Sequence, residues 1–479
     1  MNRYIFLIHR YLGIVFGVIV TAWCFSGLVM MYVQYPDLNS EDQLSSLELL
    51  DLKECCRLPN DFSNIQLDRF RIEMLADHPV IRLIDGPYQY VIDLLNGEYL
   101  AEFDENTAQR LATVSAKQLR LTGQPELLGT VDQDQWTIYP SFSFHRPLYH
   151  FVMNDDVGTE FYISSTTGEL VQLTTTNIRF WNWIGSVPHW LYPTILRQHT
   201  TIWLQVIIWL TLASSFLTIV GIYIGLRQYK TRRNGRNSPY HGWAFWHHIS
   251  GLFFGAFTLS WLISGLLSVN PWGVLEGRNY SAETQRISGG TLNFESVREF
   301  LSSLPISNLP GSTVRLEGYL NNNKLSLIIF DSNGIRTRLH PDSLVFDPLS
   351  DNHFLKLAPK IRPDVQILRS GWITSGDAYY YDHHNTRHFP VYRINYLDGE
   401  KIYLDSITGE LIFAVDKERR WFRWLFQGLH RIDFLTLIRT RPVWDILVLS
   451  LMTGVTVGVV SGTFLGLRRV FRAIKKLTI

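Results

Sequence analysis

The sequence predicts a membrane protein with four transmembrane α-helices, interfacial helices beside them and α+β modules outside the membrane, all laid out as an internal duplication. Three observations predict it. Four stretches are apolar over the roughly 20 residues that a bilayer core requires. The segments between them alternate apolar and polar residues between turn signals, as half-buried strands do. The chain also matches itself at a nearly constant offset.

The four apolar stretches are Tyr11–Val33, Ile202–Ile224, Ile249–Val269 and Val443–Leu465. The first is too long for a signal peptide and no small-residue cleavage site follows it, so it reads as an uncleaved span. Arg3 and Arg10 precede span one. Arg227, Lys230, Arg232, Arg233 and Arg236 lie between spans two and three, and Arg468, Arg469, Arg472, Lys475 and Lys476 follow span four. Cations collect on the cytoplasmic side, which places both termini and this loop there. With no eukaryotic sorting signal, the expected location is a bacterial inner membrane, with the large regions in the periplasm. Fifteen Trp among 14% aromatic residues suit membrane–water interfaces. A net charge of +1 offers nothing to a nucleic acid. Three cysteines are too few for a disulfide framework, and adjacent Cys55 and Cys56 read as free thiols or as residues without a role, a strained vicinal disulfide being the alternative.

The repeat is gapless within its segments. HRYLGIVFGVIVTAWCFSGL (9–28) overlays HHISGLFFGAFTLSWLISGL (247–266) at an offset of 238. GIYIGLRQ (221–228) overlays GTFLGLRR (462–469), and EFYISSTTGEL (160–170) overlays KIYLDSITGEL (401–411), both at 241. The TGEL segments predict strand–turn–strand units, and Asn-Gly turns in 90–100 and 325–336 predict further hairpins. Residues 105–119 predict a helix. Aromatic stretches 179–196 and 419–438 carry too many charges to span and read as interfacial helices, the first broken at Pro188 and Pro193. The implied division is span one in 1–34, an outer α+β region in 35–178, and an interfacial helix with span two in 179–230. A basic loop in 231–245 and span three in 246–272 follow. A second outer region fills 273–418, and an interfacial helix, span four and a basic tail fill 419–479.

Four histidines occupy repeated positions. His9 meets His247 at the start of spans one and three, and His189 meets His430 ahead of spans two and four. Two imidazoles facing each other between helices can ligate one haem iron from both sides. The alternative is that they are interfacial or hydrogen-bonding residues copied by duplication. His248 has Arg10 as its counterpart and reads as an interfacial residue. Glycines at four-residue spacing, Gly13–Gly17, Gly251–Gly255, Gly221–Gly225 and Gly458–Gly462–Gly466, admit either a helix or a flat macrocycle. His383, His384 and His388, like His145 and His150, read as loop residues, with metal or anion binding the alternative. Asp445 is expected to pair with Arg439 or Arg441. Phosphate loops, dinucleotide fingerprints, nucleophile elbows and zinc-protease motifs are absent from the sequence.

H-R-x-L-G opening a span, TGEL closing a strand pair and GLH before the last span resemble the PepSY-associated transmembrane family. WNWIGSVPHWLYPTILRQHTTIW, DAYYYDHHNTRHFPVYRI and the doubled layout are similar to its longer members. The resemblance covers nearly the whole chain and implies PepSY-like outer modules. Some members are inner-membrane ferric-siderophore reductases carrying b-type haem ligated by histidines, and others are iron-regulated membrane proteins. The resemblance therefore implies one or two bis-histidine haems b, His9 with His247 and His189 with His430. At the outer pair Pro188–His189–Trp190 departs from Leu429–His430–Arg431. The expected activity is that of an oxidoreductase passing electrons from an unidentified donor to a periplasmic acceptor, foremost a ferric siderophore, within membrane lipid. The alternatives are a non-redox PepSY protein that binds a periplasmic protein or peptide or regulates a protease, and a metal or haem transporter.

Overall fold

Each apolar stretch forms one continuous helix. A computed structural model describes residues 3–60, 62, 65–230, 237–382 and 387–477. The long helices are α1 (Arg3–Met30), α2 (Thr200–Gln228), α3 (Trp243–Ser268) and α4 (Val443–Leu477), all long and apolar enough to cross a membrane. None contains proline, so nothing interrupts the backbone ladder. The shortest has 26 residues, about 39 Å of helix against a core of about 30 Å. α1 begins at Arg3, ahead of the predicted Tyr11, and α4 continues past Leu465 to Leu477. The basic tail extends the helix because cations favour its carbonyl-rich end. Arg232, Arg233 and Arg236 of the predicted basic loop lie outside the described residues.

The chain divides into two units: Met1–Tyr35 with Phe180–Gly277 and Lys417–Ile479, and Pro36–Arg179 with Arg278–Asp416. In the helical unit, close packing runs α1 to α2, α2 to α3, α3 to α4 and α4 back to α1. The repeated helices α1 and α3 therefore stand diagonally. Glycines set the close approaches. A Cβ on Gly17 would lie 2.8 Å from Thr463 Oγ1, and one on Gly255 would lie 2.9 Å from Ile222. Thr21 and Thr463 join α1 to α4 by hydroxyls 2.9 Å apart, and Ser250 donates to the Gly454 carbonyl between α3 and α4.

The segment before α2 forms short helices Thr176–Ile184, Ser186–Trp190 and Thr194–Arg197. The break expected at Pro188 falls instead at Gly185. Pro188 sits in the first turn, where its missing N–H is not needed. Before α4, Lys417–Phe422 continues through a π-helical turn, Arg423–Gly428, into Leu429–Arg431, and Thr436–Arg439 follows. Leu191 and Ile432 end the two histidine-bearing turns with φ of 51° and 55°. Left-handed backbone is costly for such side chains, and both copies reverse the chain two residues after the histidine.

The second unit is built from strands β1 (Arg69–Leu75), β2 (His78–Asp85), β3 (Tyr88–Asp93), β4 (Glu126–Val131), β5 (Leu148–Val152), β6 (Glu160–Ser164) and β7 (Leu170–Thr174). The second half supplies β8 (Thr313–Asn321), β9 (Lys324–Asp331), β10 (Arg336–Leu339), β11 (Ile367–Ile373), β12 (Val391–Tyr396), β13 (Lys401–Asp405) and β14 (Leu411–Val415). The TGEL hairpins are β6–β7 and β13–β14, with Gly168 and Gly409 at φ of 69° and 72°. The predicted helix spans Glu105–Gln118, capped by Asp104. The two halves do not fold apart. One antiparallel sheet runs β10-β9-β8-β1-β2-β3, two more run β4-β5-β6-β7 and β11-β12-β13-β14, and Gln66–Leu67 pairs with Leu292–Asn293 in a short two-stranded ladder. At the central seam Arg71 opposes Glu317 and Glu73 opposes Arg315. The ion pairs are 2.9 and 2.8 Å, a two-fold exchange between repeated Arg-x-Glu triplets. Phe70 and Ile72 share one core with Leu316, Leu327 and Phe294 from the other half. Cys55 and Cys56 are bonded to each other, against the expectation of free thiols, and both pack on that core.

Candidate functional site

In the helical unit the duplicated histidines meet as pairs. His9 of α1 and His247 of α3 face each other across the bundle diagonal, with ring centroids 6.0 Å apart. His189 and His430, each on a short helix before its long one, lie 6.1 Å apart. Seventeen residues separate His9 from Ser26, which touches His189. Seventeen also separate His247 from Ser264, which touches His430. At 1.5 Å per residue the two pairs are about 25 Å apart along the bundle.

The surroundings of each ring repeat as well. His9 Nδ1 lies 3.3 Å from the Leu217 carbonyl oxygen, and His247 Nδ1 lies 2.8 Å from that of Gly458. A carbonyl only accepts, so Nδ1 carries the proton and the neutral ring keeps its lone pair on Nε2. His189 Nδ1 lies 3.2 Å from the Trp23 carbonyl oxygen and 3.1 Å from Ser26 Oγ. His430 Nδ1 lies 3.1 Å from Ser264 Oγ. Ser26 and Ser264 donate their own protons to the carbonyls of Trp23 and Trp261, so each Oγ accepts from its histidine. Among the described residues no hydrogen bond engages Nε2 of any of the four. Holding Nδ1–H on an acceptor to fix the tautomer and aim Nε2 is how proteins prepare histidine as a metal ligand.

Two glycine pairs make room for the rings. A Cβ on Gly221 would stand 2.7 Å from His9 Cε1, and one on Gly462 would stand 2.6 Å from His247 Cε1. Gly27 and Gly265 do the same more loosely, at 3.3 and 3.4 Å from His189 and His430. The helical glycines therefore sort by role. Gly17, Gly255 and Gly458 serve helix packing, Gly221 and Gly462 admit the histidines, and Gly13 and Gly251 have no atom within 4 Å of an added Cβ. The last two lie one turn beyond His9 and His247 on the same helix faces. The sequence offered Gly221 and Gly462 to a helix or a macrocycle rather than to an imidazole, and assigned Ser26 and Ser264 no role, although both sets sit inside its repeated segments.

His248 is different from its neighbour. It is buried, with Nδ1 2.8 Å from Ser238 Oγ and Nε2 3.0 Å from the Gly225 carbonyl oxygen. Both nitrogens are engaged, and the residue ties the segment before α3 to α2. It was expected at an interface; burial follows from the close approach of α2 at Gly225. Asp445 pairs with Arg441 at 3.8 Å and accepts from Tyr32, while Arg439 goes to Asp433.

A haem held by either pair would need facing ring nitrogens, space for a macrocycle and donors for its carboxylates. Two imidazoles bonding one ion at about 2 Å each take a centroid spacing near the two observed. Gly13 and Gly251 offer the space, and Trp23 Nε1 is a buried donor with no partner. Its repeat, Trp261 Nε1, donates to the His430 carbonyl at 3.0 Å. The residues fit the group.

Of the histidines expected in loops outside the helical unit, His150 lies instead in β5, and it and His145 bond locally. His150 Nε2 lies 3.0 Å from Glu160 and its ring stacks on Tyr162, and His145 Nδ1 lies 3.1 Å from Thr167. The carbonyl of His388 accepts from Tyr380. His383 and His384 lie outside the described residues. No family model matches the chain, and no curated protein matches it.

Proposed function

We propose that the chain conducts electrons across a membrane through two haems b, one between His9 and His247 and one between His189 and His430. The supporting observation is the paired set of histidines with Nδ1 anchored and Nε2 unengaged, duplicated at two levels of one bundle. When bound, haem supplies a one-electron couple. His9 with His247, and His189 with His430, would each hold one haem, and an iron held by two histidines would supply electron transfer rather than oxygen activation. The carbonyls of Leu217, Gly458 and Trp23 and the hydroxyls of Ser26 and Ser264 hold the rings in the ligating tautomer. Apolar residues of the bundle exclude water between the two levels.

In this reading the chain is a multi-pass protein of a bacterial inner membrane, with its basic segments in the cytoplasm and the sheet unit in the periplasm. Its repeated histidines, TGEL hairpins and doubled layout support a kinship with the PepSY-associated transmembrane proteins. The acceptor is a ferric siderophore, because reduction to Fe(II) weakens binding by hard oxygen ligands. That reaction asks for proximity of chelate and electron source, without an acid, base or nucleophile of the protein.

The test is electron delivery across a sealed bilayer. Full-length protein reconstituted into vesicles, with dithionite inside, faces an external ferric hydroxamate and an Fe(II)-trapping dye. Dye–iron complex should form with the native chain and fall to background in both His247→Ala and His430→Ala. Equal iron trapping by native protein and both variants would overturn the proposal.

A further inference from the structure

We propose that Arg197 is the binding residue for a carboxylate of the porphyrin between His189 and His430. The inference rests on the haem reading above. Arg197 lies in the helical unit at the end of Thr194–Arg197, and only 7% of it is exposed. Arginine stays charged under all ordinary conditions. A buried charge without a counter-ion is rare because its desolvation goes uncompensated. Yet among the described residues no carboxylate lies within ion-pair distance of Arg197. Nη1 donates to Thr200 Oγ1 at 2.8 Å, the guanidinium lies 4.6 Å from the Trp203 ring centre and 5.1 Å from that of Tyr192, and Nε is buried without a partner.

The repeat sharpens the anomaly. TILR (194–197) corresponds to TLIR (436–439), so Arg439 is the counterpart of Arg197. Arg439 has an acid, Asp433, which also takes Arg423. The first copy offers the cation and no acid. The site is also tied to the histidine level. Trp203 Nε1 donates to the Trp190 carbonyl at 3.0 Å, and Trp190 follows His189 directly. Trp23, whose indole N–H is another unpartnered buried donor, supplies the carbonyl that holds His189. A porphyrin carboxylate reaching Arg197 would give the guanidinium the counter-ion it lacks. A lipid phosphate is the other source of that chemistry.

The experiment compares haem with its dimethyl ester. Full-length apoprotein from haem-starved cells, in detergent, is titrated with each compound and followed by absorbance. Native protein should bind the free acid more tightly at one of its two sites. Arg197→Met should lose that preference by about tenfold or more, as a charge-assisted bond is lost, while Arg197→Lys retains most of it. Undisturbed haem binding at the His9–His247 site in the same sample reports that the variant is folded. A preference equal in native protein and Arg197→Met overturns the assignment. So does a preference that appears only when anionic phospholipid is added. Native protein that binds neither compound would instead refute the haem reading itself.

Discussion

The ring of His247 stands where a side chain on Gly462 would have to be: an added Cβ would lie 2.6 Å from its Cε1. Gly221 bears the same relation to His9 at 2.7 Å. Alanine at either position should push its histidine off the bundle diagonal. Gly462→Ala and Gly221→Ala should each weaken haem binding at the inner pair by about 10- to 100-fold, the size of effect seen when ligand orientation is lost. The helix itself should gain, since Ala is better than Gly in a helix interior by about 1 kcal/mol. Haem titration beside a helicity measurement separates the two effects.

Ser26 and Ser264 accept from the outer histidines at equal distances of 3.1 Å. Ser26→Ala leaves His189 the Trp23 carbonyl at 3.2 Å, whereas Ser264→Ala leaves His430 only the less well aligned Trp261 carbonyl. Ser264→Ala should therefore weaken outer haem binding more than Ser26→Ala does, with inner binding unchanged in both. Equilibrium haem titration of the two variants checks the order.

His248→Ala should keep full haem content and lose stability. The substitution leaves Ser238 Oγ and the Gly225 carbonyl buried without their partner, at about 1–3 kcal/mol for an unsatisfied buried group. Haem per chain and thermal midpoint, measured on one preparation, test both halves of the statement.

The helices and the facing histidines were legible because their signals are local and doubled. An apolar run of span length has few alternatives, and a gapless repeat puts His9 and His247 at one level. The seam between β1 and β8 was not legible. Alternation marks a strand but not its partner, and Arg71 and Glu317 are 246 residues apart. The ring-admitting role of Gly221 also escaped notice, since GxxxG spacing reads the same whether a helix or an imidazole fills the space. His248 was misjudged as interfacial because sequence alone does not show which face of α3 α2 covers.

The seam gives an acid-dependent prediction. Glu73 is fully buried between Arg82 at 2.6 Å and Arg315 at 2.8 Å. Burial pushes its carboxyl up, but Arg315 and then Arg82 outweigh it and hold it below its ordinary 4.5. Stability from this group is present above that ordinary value and is lost as pH falls below it. Glu73→Gln should destabilise the sheet unit by about 3 kcal/mol at neutral pH, because two buried cations lose their nearest acid and keep only Glu169 and Glu317 at 4.0 and 3.9 Å. It should also flatten the decline in thermal midpoint between pH 5 and 3, read from the strand signal in circular dichroism of the full chain (on the order of two pH units, spanning ordinary carboxylate values).

The most direct measurement is the visible absorption spectrum and haem-to-protein ratio of the full-length chain, expressed with haem supplied. The account predicts a low-spin bis-histidine spectrum with two haems per chain, one after His247→Ala, one after His430→Ala and none in the double variant. A folded, colourless native protein would contradict it, and so would a haem content that neither substitution changes.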